Sequence, residues 1–427
     1  MKHRHAALIK PLVAALGLGL AALSAHAQAP ISLSYLGQQI LPTSTQYAGT
    51  TVGGLSGIDY DAASGRYFAI SDDRSGINPA RFYTLGLDLS QFRRSATPGM
   101  AGVSLQGVTT LQRPEGGAFA PNTVDPEGLR YNAATGSLFW SNEGQRSAAG
   151  FQNPTVREMR LDGSHVRDMQ VPEAFKPSGS AAGTAPGDRG IYNNLAFESL
   201  TLSTDGKTLY TATENALAQD GPQATTSKGS ISRIVGFDLA SGAATAQYAY
   251  AVSPVALPPV AGGFATNGLT DLLAVGDRQF IAIERSFSTG AVTPGTPVTG
   301  NTIRLYHVDA RHATDISGLA SLDGASFTPA EKTLLLDLST LRNDDGSFLA
   351  TDNIEGLTLG PEINGKRSLI LVSDNNFAAS QFTQFIALEV SAVPEPGSWA
   401  LMGAGLAGLA ALARRRRHQA RGALTKG

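Results

Sequence analysis

Carboxylates recur in this sequence at nearly constant intervals, each where one strand begins or another ends. The stretch Asn194-Leu-Ala-Phe-Glu-Ser-Leu-Thr-Leu-Ser-Thr-Asp-Gly-Lys-Thr-Leu-Tyr-Thr-Ala-Thr-Glu-Asn215 reads as a strand, an Asp-Gly turn and a second strand. It carries Glu198 on the first strand and Glu214 at the end of the second. The same pattern places Asp72, Glu143 and Glu214 at steps of 71, with Glu284 at 70 and Asp374 at 90 thereafter. On the first strands, Glu127, Glu198 and Glu355 are equivalent, Asp271 fits after a small alignment gap, and Ser56 is the exception. If both sets converge, their carboxylates cannot all stay ionised without a counter-charge. A hard cation supplies it: Ca2+ takes six to eight oxygen ligands, and Mg2+ is the alternative. The competing reading is that these acids accept backbone hydrogen bonds and tie the repeats together. Arg74 follows Asp72 and Asp73, and Arg285 follows Glu284. A guanidinium fits a phosphate or carboxylate with two parallel donors, or it forms an ordinary salt bridge with its acidic neighbours.

The elements that must position these residues repeat with them. After each second acid comes a loop rich in Gly, Ser, Thr and Pro, then an alternating strand. These third strands begin near Arg81, Arg157, Arg233, Arg304 and Gln384, and the four arginines read as structural contacts. Fourth strands follow at 103–111, 165–171, 245–252 and 332–338. The fifth unit has none of its own, and the N-terminal run Ile31-Ser-Leu-Ser-Tyr-Leu could supply it and close a circle. Four-stranded units repeated in a ring make an all-β propeller. Five blades are expected, or six if a divergent blade occupies 172–193 or 252–266. A linear β-solenoid is the other architecture, but its repeats are much shorter. In a propeller the first strand of each blade lines the central channel, so repeated positions meet at the axis.

Composition agrees. The chain has 427 residues, 48 Gly, 22 Pro and no Cys, which excludes a disulfide framework and thiolate chemistry. Its 33 Lys and Arg against 35 Asp and Glu hide an asymmetry. Residues 1–27 hold three bases and no acid, and 393–427 hold six bases and one acid, which leaves 24 bases and 34 acids between them. Such an acidic body repels nucleic acid and suits cations.

Both ends read as addresses. Residues 1–27 have a basic start (Lys2, Arg4, Lys10), an apolar run from Leu12 to Leu23 and an Ala25-His26-Ala27 cleavage site, the pattern of a signal peptide. The alternative is an N-terminal anchor. Residues 393–427 carry Pro394-Glu395-Pro396, an apolar stretch from Trp399 to Ala413 and Arg414 to Arg417. This resembles the PEP-CTERM sorting tail. The leader implies export with cleavage by signal peptidase, and the resemblance implies transient anchoring in the inner membrane by a C-terminal hydrophobic helix and recognition by an exosortase. Cell-surface or extracellular residence follows. A plain C-terminal anchor is the simpler alternative. The body between them, 28–392, is one propeller domain, expected to be monomeric.

Other chemistries lack their residues. No G-x-S-x-G elbow, H-E-x-x-H, P-loop or dinucleotide fingerprint occurs, and His165, His307 and His312 sit outside the repeated positions. The motifs Asp125-Pro-Glu-Gly-Leu, Phe197-Glu-Ser-Leu, Ile283-Glu-Arg-Ser, Asn353-Ile-Glu-Gly-Leu and Ser373-Asp-Asn-Asn together resemble the phytase-like family described as "esterase-like activity of phytase", from about Gly53 to Val390. The resemblance implies a secreted propeller that hydrolyses phosphate esters with Ca2+ in an acidic channel. Glu198, Glu127 and Glu355 would then be catalytic, with Glu198 the general base. Asp72, Glu143, Glu214, Asp271, Glu284 and Asp374 would hold metal, and Arg74 and Arg285 would clamp the ester. No Lys joins the repeated positions, which argues against a substrate as highly charged as phytate. Two alternatives stand beside this one: a non-catalytic, calcium-stabilised surface propeller, and a lactonase-like carboxylic-ester hydrolase.

Overall fold

Alternating strands bounded by glycine turns form five four-stranded antiparallel sheets, and the sheets are the blades of a propeller. The computed structural model describes residues 31–291 and 299–392. The expected signal peptide and sorting segment lie outside the described residues. Among the described residues there is no α-helix, and no helix is long and apolar enough to cross a membrane.

Blade 1 comprises Leu55–Asp61, Arg66–Ser71, Arg81–Leu87 and Val103–Thr110. Blade 2 comprises Pro126–Asn132, Ser137–Asn142, Thr155–Arg160 and His165–Asp168. Blade 3 comprises Thr201–Leu202, Thr208–Ala212, Ser230–Asp238 and Ala244–Val252. Blade 4 comprises Ala265–Gly276, Gln279–Ser288, Asn301–Asp309 and Glu331–Asp337. Blade 5 takes Asn353–Ile363, Lys366–Asp374 and Thr383–Ala392 from the end of the chain, and its outer strand, Ile31–Leu41, from the beginning. The ring therefore closes by hydrogen bonds between distant parts of the sequence, as the missing fourth strand suggested. The segments considered for a sixth blade, 172–193 and 252–266, form no sheet of their own and join blade 2 to blade 3 and blade 3 to blade 4. Residues 172–193 form a loop that Arg146 pins through the carbonyls of Ser178, Ser180, Arg189 and Ile191.

The apolar core lies in wedges between blades, because each sheet buries both faces. Phe68, Ile70 and Phe82 of blade 1 meet Leu129, Leu138 and Trp140 of blade 2. Equivalent layers join blades 2 and 3, 3 and 4, and 5 and 1. The third-strand arginines serve this packing. Arg81 is buried against Asp73 at 2.7 Å, Arg233 against Asp220 at 2.6 Å, and Arg304 reaches Asp337 at 2.9 Å. Arg157 lies over the Phe119 and Trp140 rings at 5.5 Å.

The inner strands touch their neighbours around the full circle. One buried ion pair crosses the space between them. Arg130 of blade 2 donates to Asp271 of blade 4 at 2.8 Å, and to the carbonyls of Ile58 in blade 1, Leu272 in blade 4 and Leu357 in blade 5. Asp271 in turn accepts from the amides of Leu200 in blade 3 and Leu357 in blade 5. All five inner strands are thus joined through two side chains. Burial raises the Asp271 carboxyl to about 6, against the pull of Arg130.

Removing one partner of such a pair leaves a buried, uncompensated charge. Asp271→Ala is expected to cost about 3–5 kcal/mol in denaturant unfolding, and Arg130→Met combined with Asp271→Leu much less. A loss below about 1 kcal/mol for Asp271→Ala would show that the pair does not hold the ring.

Candidate metal and anion site

Each inner strand carries one residue too many for its neighbour, at the same place. The offset falls between Leu55 and Gly57, Pro126 and Leu129, Leu269 and Asp271, and Ile354 and Gly356. In blade 3 the Phe197–Thr213 bridge and the Thr201–Tyr210 pair enclose the same offset. A bulge of this kind re-aims a side chain out of the pleat. The bulged residues are Ser56, Glu127, Glu198, Thr270 and Glu355. In blade 4 it is therefore Thr270, and not Asp271, that occupies the repeated position. The Ser56 and Thr270 hydroxyls are buried without a hydrogen-bond partner.

The same ladders define the second ring. The residue two places before each bulge faces a residue in the last part of the second strand or just beyond its end. Those pairs are Gly54–Asp72, Asp125–Glu143, Ala196–Glu214, Gly268–Arg285 and Asn353–Asp374. Blade 4 again departs from expectation. Arg285 holds the ring position and Glu284 points the other way, into the wedge between blades 3 and 4. There Glu284 is neutralised by Lys332 at 2.5 Å and accepts from the Tyr250 hydroxyl at 2.8 Å. Asp271 is consumed by Arg130. The structure brings neither Asp271 nor Glu284 to the acidic cluster.

The remaining acids do converge. A cavity of about 430 Å³ opens at this end of the axis, lined by Asp72, Asp125, Glu127, Glu198, Glu355 and Asp374, with Arg74 and Arg285 among them. Carboxylate oxygens of Asp125, Glu127 and Glu143 lie within 4.8 Å of one another, as do those of Glu143, Glu198 and Glu214. Glu143 belongs to both groups. Arg285 lies 3.4 Å from Glu214 and 3.3 Å from Glu355. Arg74, at the more exposed side, lies 3.4 Å from Asp125 and donates to Gln145 at 3.3 Å. The Nε–H of each arginine is buried and unpaired. Asn353 bridges Glu355 at 2.9 Å and Asp374 at 3.2 Å.

The backbone makes room for these groups. Gly54 adopts a φ of 63°, and a β-carbon there would collide with Asp72 Oδ1. At Gly268 it would collide with the Glu214 carboxylate. Asp125 and Asn353 were missed as site residues. Their signal was present: each stands two places before a repeated glutamate, where the other blades have Gly or Ala.

Two arginines do not balance eight acids. Burial raises Asp125 to about 7, against the pull of Arg74, and Glu214 to about 7, against Arg285. Burial followed by repulsion from Glu198, Asp125 and Asp72 holds Glu127 well above the usual range. Glu143 and Glu198 are raised first by burial, then by Asp125 and by Glu143 respectively. Asp72 and Asp374 follow the same pattern: burial first, then Asp374 acting on Asp72 and Glu355 acting on Asp374. Burial also works against the charge on Arg285, but Glu214, Glu355, Glu198 and Asp374 outweigh it and raise its pKa. The donor set is all oxygen, without thiolate or imidazole, and Asp72 Oδ1 is buried with no partner. These residues fit a hard divalent cation.

The fold and site define a five-bladed β-propeller whose axial cavity pairs a carboxylate cluster with two guanidiniums. Residues 50–377 match the family model described as "Esterase-like activity of phytase", and the chain belongs to that family. Residues 392–417 match the PEP-CTERM protein-sorting motif. No curated protein matches the sequence. Among solved structures, a thermostable family-43 glycoside hydrolase is similar at 10% identity and a TM-score of 0.44, covering 81% of this chain and 96% of that one. The exo-β-1,3-galactanase of Phanerochaete chrysosporium is similar at 10% identity and a TM-score of 0.39, over 82% of this chain and 64% of that one.

The raised carboxyls have a consequence for stability. Asp125 and Glu214 ionise near their ordinary 3.8 and 4.5 when unfolded, but near 7 when folded. Stability present below the lower values is lost as pH rises through the higher ones. The metal-free protein should therefore melt at a lower temperature at pH 8 than at pH 5, and calcium should raise the melting temperature more at pH 8. A melting temperature that climbs from pH 5 to pH 8 without metal would contradict this charge balance.

Proposed function

We propose that the protein is an exported phosphoesterase of phytase type that works with calcium in its axial cavity. The observation that carries this reading is the company the acids keep. Carboxylates alone would make a cation site, but the guanidinium side chains of Arg74 and Arg285 line the same cavity. Donors of that kind call for an anion. Membership of the phytase-like family supports an ester or phosphate substrate.

Asp125, Glu127, Glu143 and Glu214 would hold the cation, with Asp72 and Asp374 at the edge of the set. When bound, the cation would polarise the phosphoryl group and offset its charge. Arg285, fixed between Glu214 and Glu355, presents a rigid positive edge to the ester. Arg74, about one-third exposed, meets the ester at the mouth. Glu198 lines the cavity, and its carboxylate would take the proton of an attacking water. The buried inner strands exclude bulk solvent from below. Processing would remove residues 1–27 and direct the 28–392 body through the PEP-CTERM segment to an exosortase, giving a protein that is transiently anchored and then released or surface-held. Calcium, the phosphate ester and these processing enzymes are the partners this reading requires.

The test is phosphate release by the purified full chain in mild detergent, on phenyl phosphate and phytate, with and without calcium. Glu198→Gln is expected to reduce kcat by about 10²–10⁴-fold. The same variant removes one repelled charge, so its metal-free melting temperature at pH 8 should equal or exceed that of the parent. Arg74→Ala should raise KM more than it lowers kcat. Absence of turnover on every ester, with calcium still raising the melting temperature, would favour the non-catalytic, calcium-stabilised propeller.

A further inference from the structure

A second chamber adjoins the axial cavity. It measures about 240 Å³, and Asn194 and Arg285 line both spaces. Glu214 of the acidic cluster also reaches it. Its remaining walls are of a different kind. Leu195 and Phe264 give apolar surface, and Asn193 and Gln223 give neutral amides. Arg285 is its one cationic lining residue, and that guanidinium is already shared with the acids.

Phe264 is 65% exposed, the most exposed large apolar side chain among the described residues. Its exposure does not come from a loose backbone. Its carbonyl accepts from the Thr289 amide at 2.9 Å and its amide donates to the Thr289 hydroxyl at 3.2 Å. The ring lies 6.3 Å from that of Phe287, tilted by 35°. Phe287 lines the axial cavity. Two aromatic rings therefore border the passage from the acidic chamber to the second one. Asn194, at the shared wall, adopts a left-handed φ of 56°. A fixed, exposed aromatic face beside a cavity is surface that a ligand can cover.

From this arrangement we infer that the neighbouring chamber receives the alcohol part of the substrate, and that the alcohol is a single ring with one apolar face. The inference rests on the phosphoesterase reading and adds the substrate class. The ester phosphate sits against Arg285 and Arg74, and the ring lies on Phe264 with its edge at Asn193 and Gln223. Hydrolysis joins the water oxygen to phosphorus and breaks the bond from phosphorus to the ester oxygen. The proton lost by the water ends on the departing alcohol, so the products are phosphate and the free ring alcohol. A ring bearing several further phosphates finds no additional cation here. The preferred substrate is a monoester with one phosphate, of the aryl or cyclic type.

Binding separates this from the parent reading without any need for turnover. Calorimetry with excess calcium would compare phenylphosphonate with methylphosphonate, two non-hydrolysable monoester mimics, on the full chain. The phenyl compound should bind about tenfold tighter, as expected for one ring covered by an aromatic partner. In Phe264→Ala that ratio should fall to about one, and in Phe264→Tyr it should persist. Equal affinities in the parent, or a ratio that survives Phe264→Ala, would overturn the ring subsite while leaving the phosphate site in place. If neither phosphonate binds although calcium does, the phosphoesterase reading falls and the subsite with it. Because Phe264 is mostly exposed, its replacement should not disturb folding, and an unchanged melting temperature checks this.

Discussion

The Arg130–Asp271 pair is the constraint on which the ring depends. A propeller built from outer wedges alone would leave inner strands with unpaired carbonyls and amides facing the axis. Those groups have no water to turn to, and each unmade hydrogen bond costs free energy. Arg130 spends its donors on carbonyls from four blades, and Asp271 accepts amides from blades 3, 4 and 5. Neither residue would be tolerable there without the other. Together they fix the inner strands at one distance from the axis. The acidic cavity sits at the end of the same strands, one to three residues earlier along each, so its dimensions are set by this tie.

Above that tie the structure works against itself. Eight carboxylates are held together by rigid strands, with two arginines to offset them, and burial removes the solvent that would otherwise screen their repulsion. A stability optimum would replace some of them with amides or apolar groups. Strain of this sort persists when the surrounding scaffold can carry it, and it is characteristic of sites that bind a cation. The wedges between blades, closely packed and apolar, are where the compensating stability resides.

Blade 4 shows how the cluster acquires its asymmetry. Four blades present acid at the second ring and the fourth presents Arg285. Its neighbour Glu284 has turned into the wedge, where Lys332 lies over the rings of Tyr250 and Tyr306 at 5.0 and 4.5 Å. A strand alternates its side chains between faces, so a shift of one residue exchanges their destinations. Reading the interval from Glu214 as 70 chose Glu284, and the true repeat of 71 lands on Arg285. The site is consequently not a ring of like charges. It has a positive member built in opposite the mouth arginine.

Much of this was legible in the residues alone. Period-two strands, Asp-Gly and Thr-Gly turns and the repeat of 71 sufficed for a propeller, for its closure by the N-terminal strand and for Asp72, Glu127, Glu143, Glu198, Glu214, Glu355 and Asp374 as a set. These follow from local physics: alternation, turn geometry and repetition each act over a few residues. What the chain alone could not decide was register. A bulge is one extra residue whose place is chosen by hydrogen bonds to another strand, and no local pattern marks it. Tertiary structure therefore decided that Thr270 and Arg285 hold the blade 4 positions, that Asp271 and Glu284 are paired away, and that Asp125 and Asn353 join the cavity. It also decided where the second chamber beside Phe264 opens, because a cavity is made by residues distant in sequence and near only in the fold.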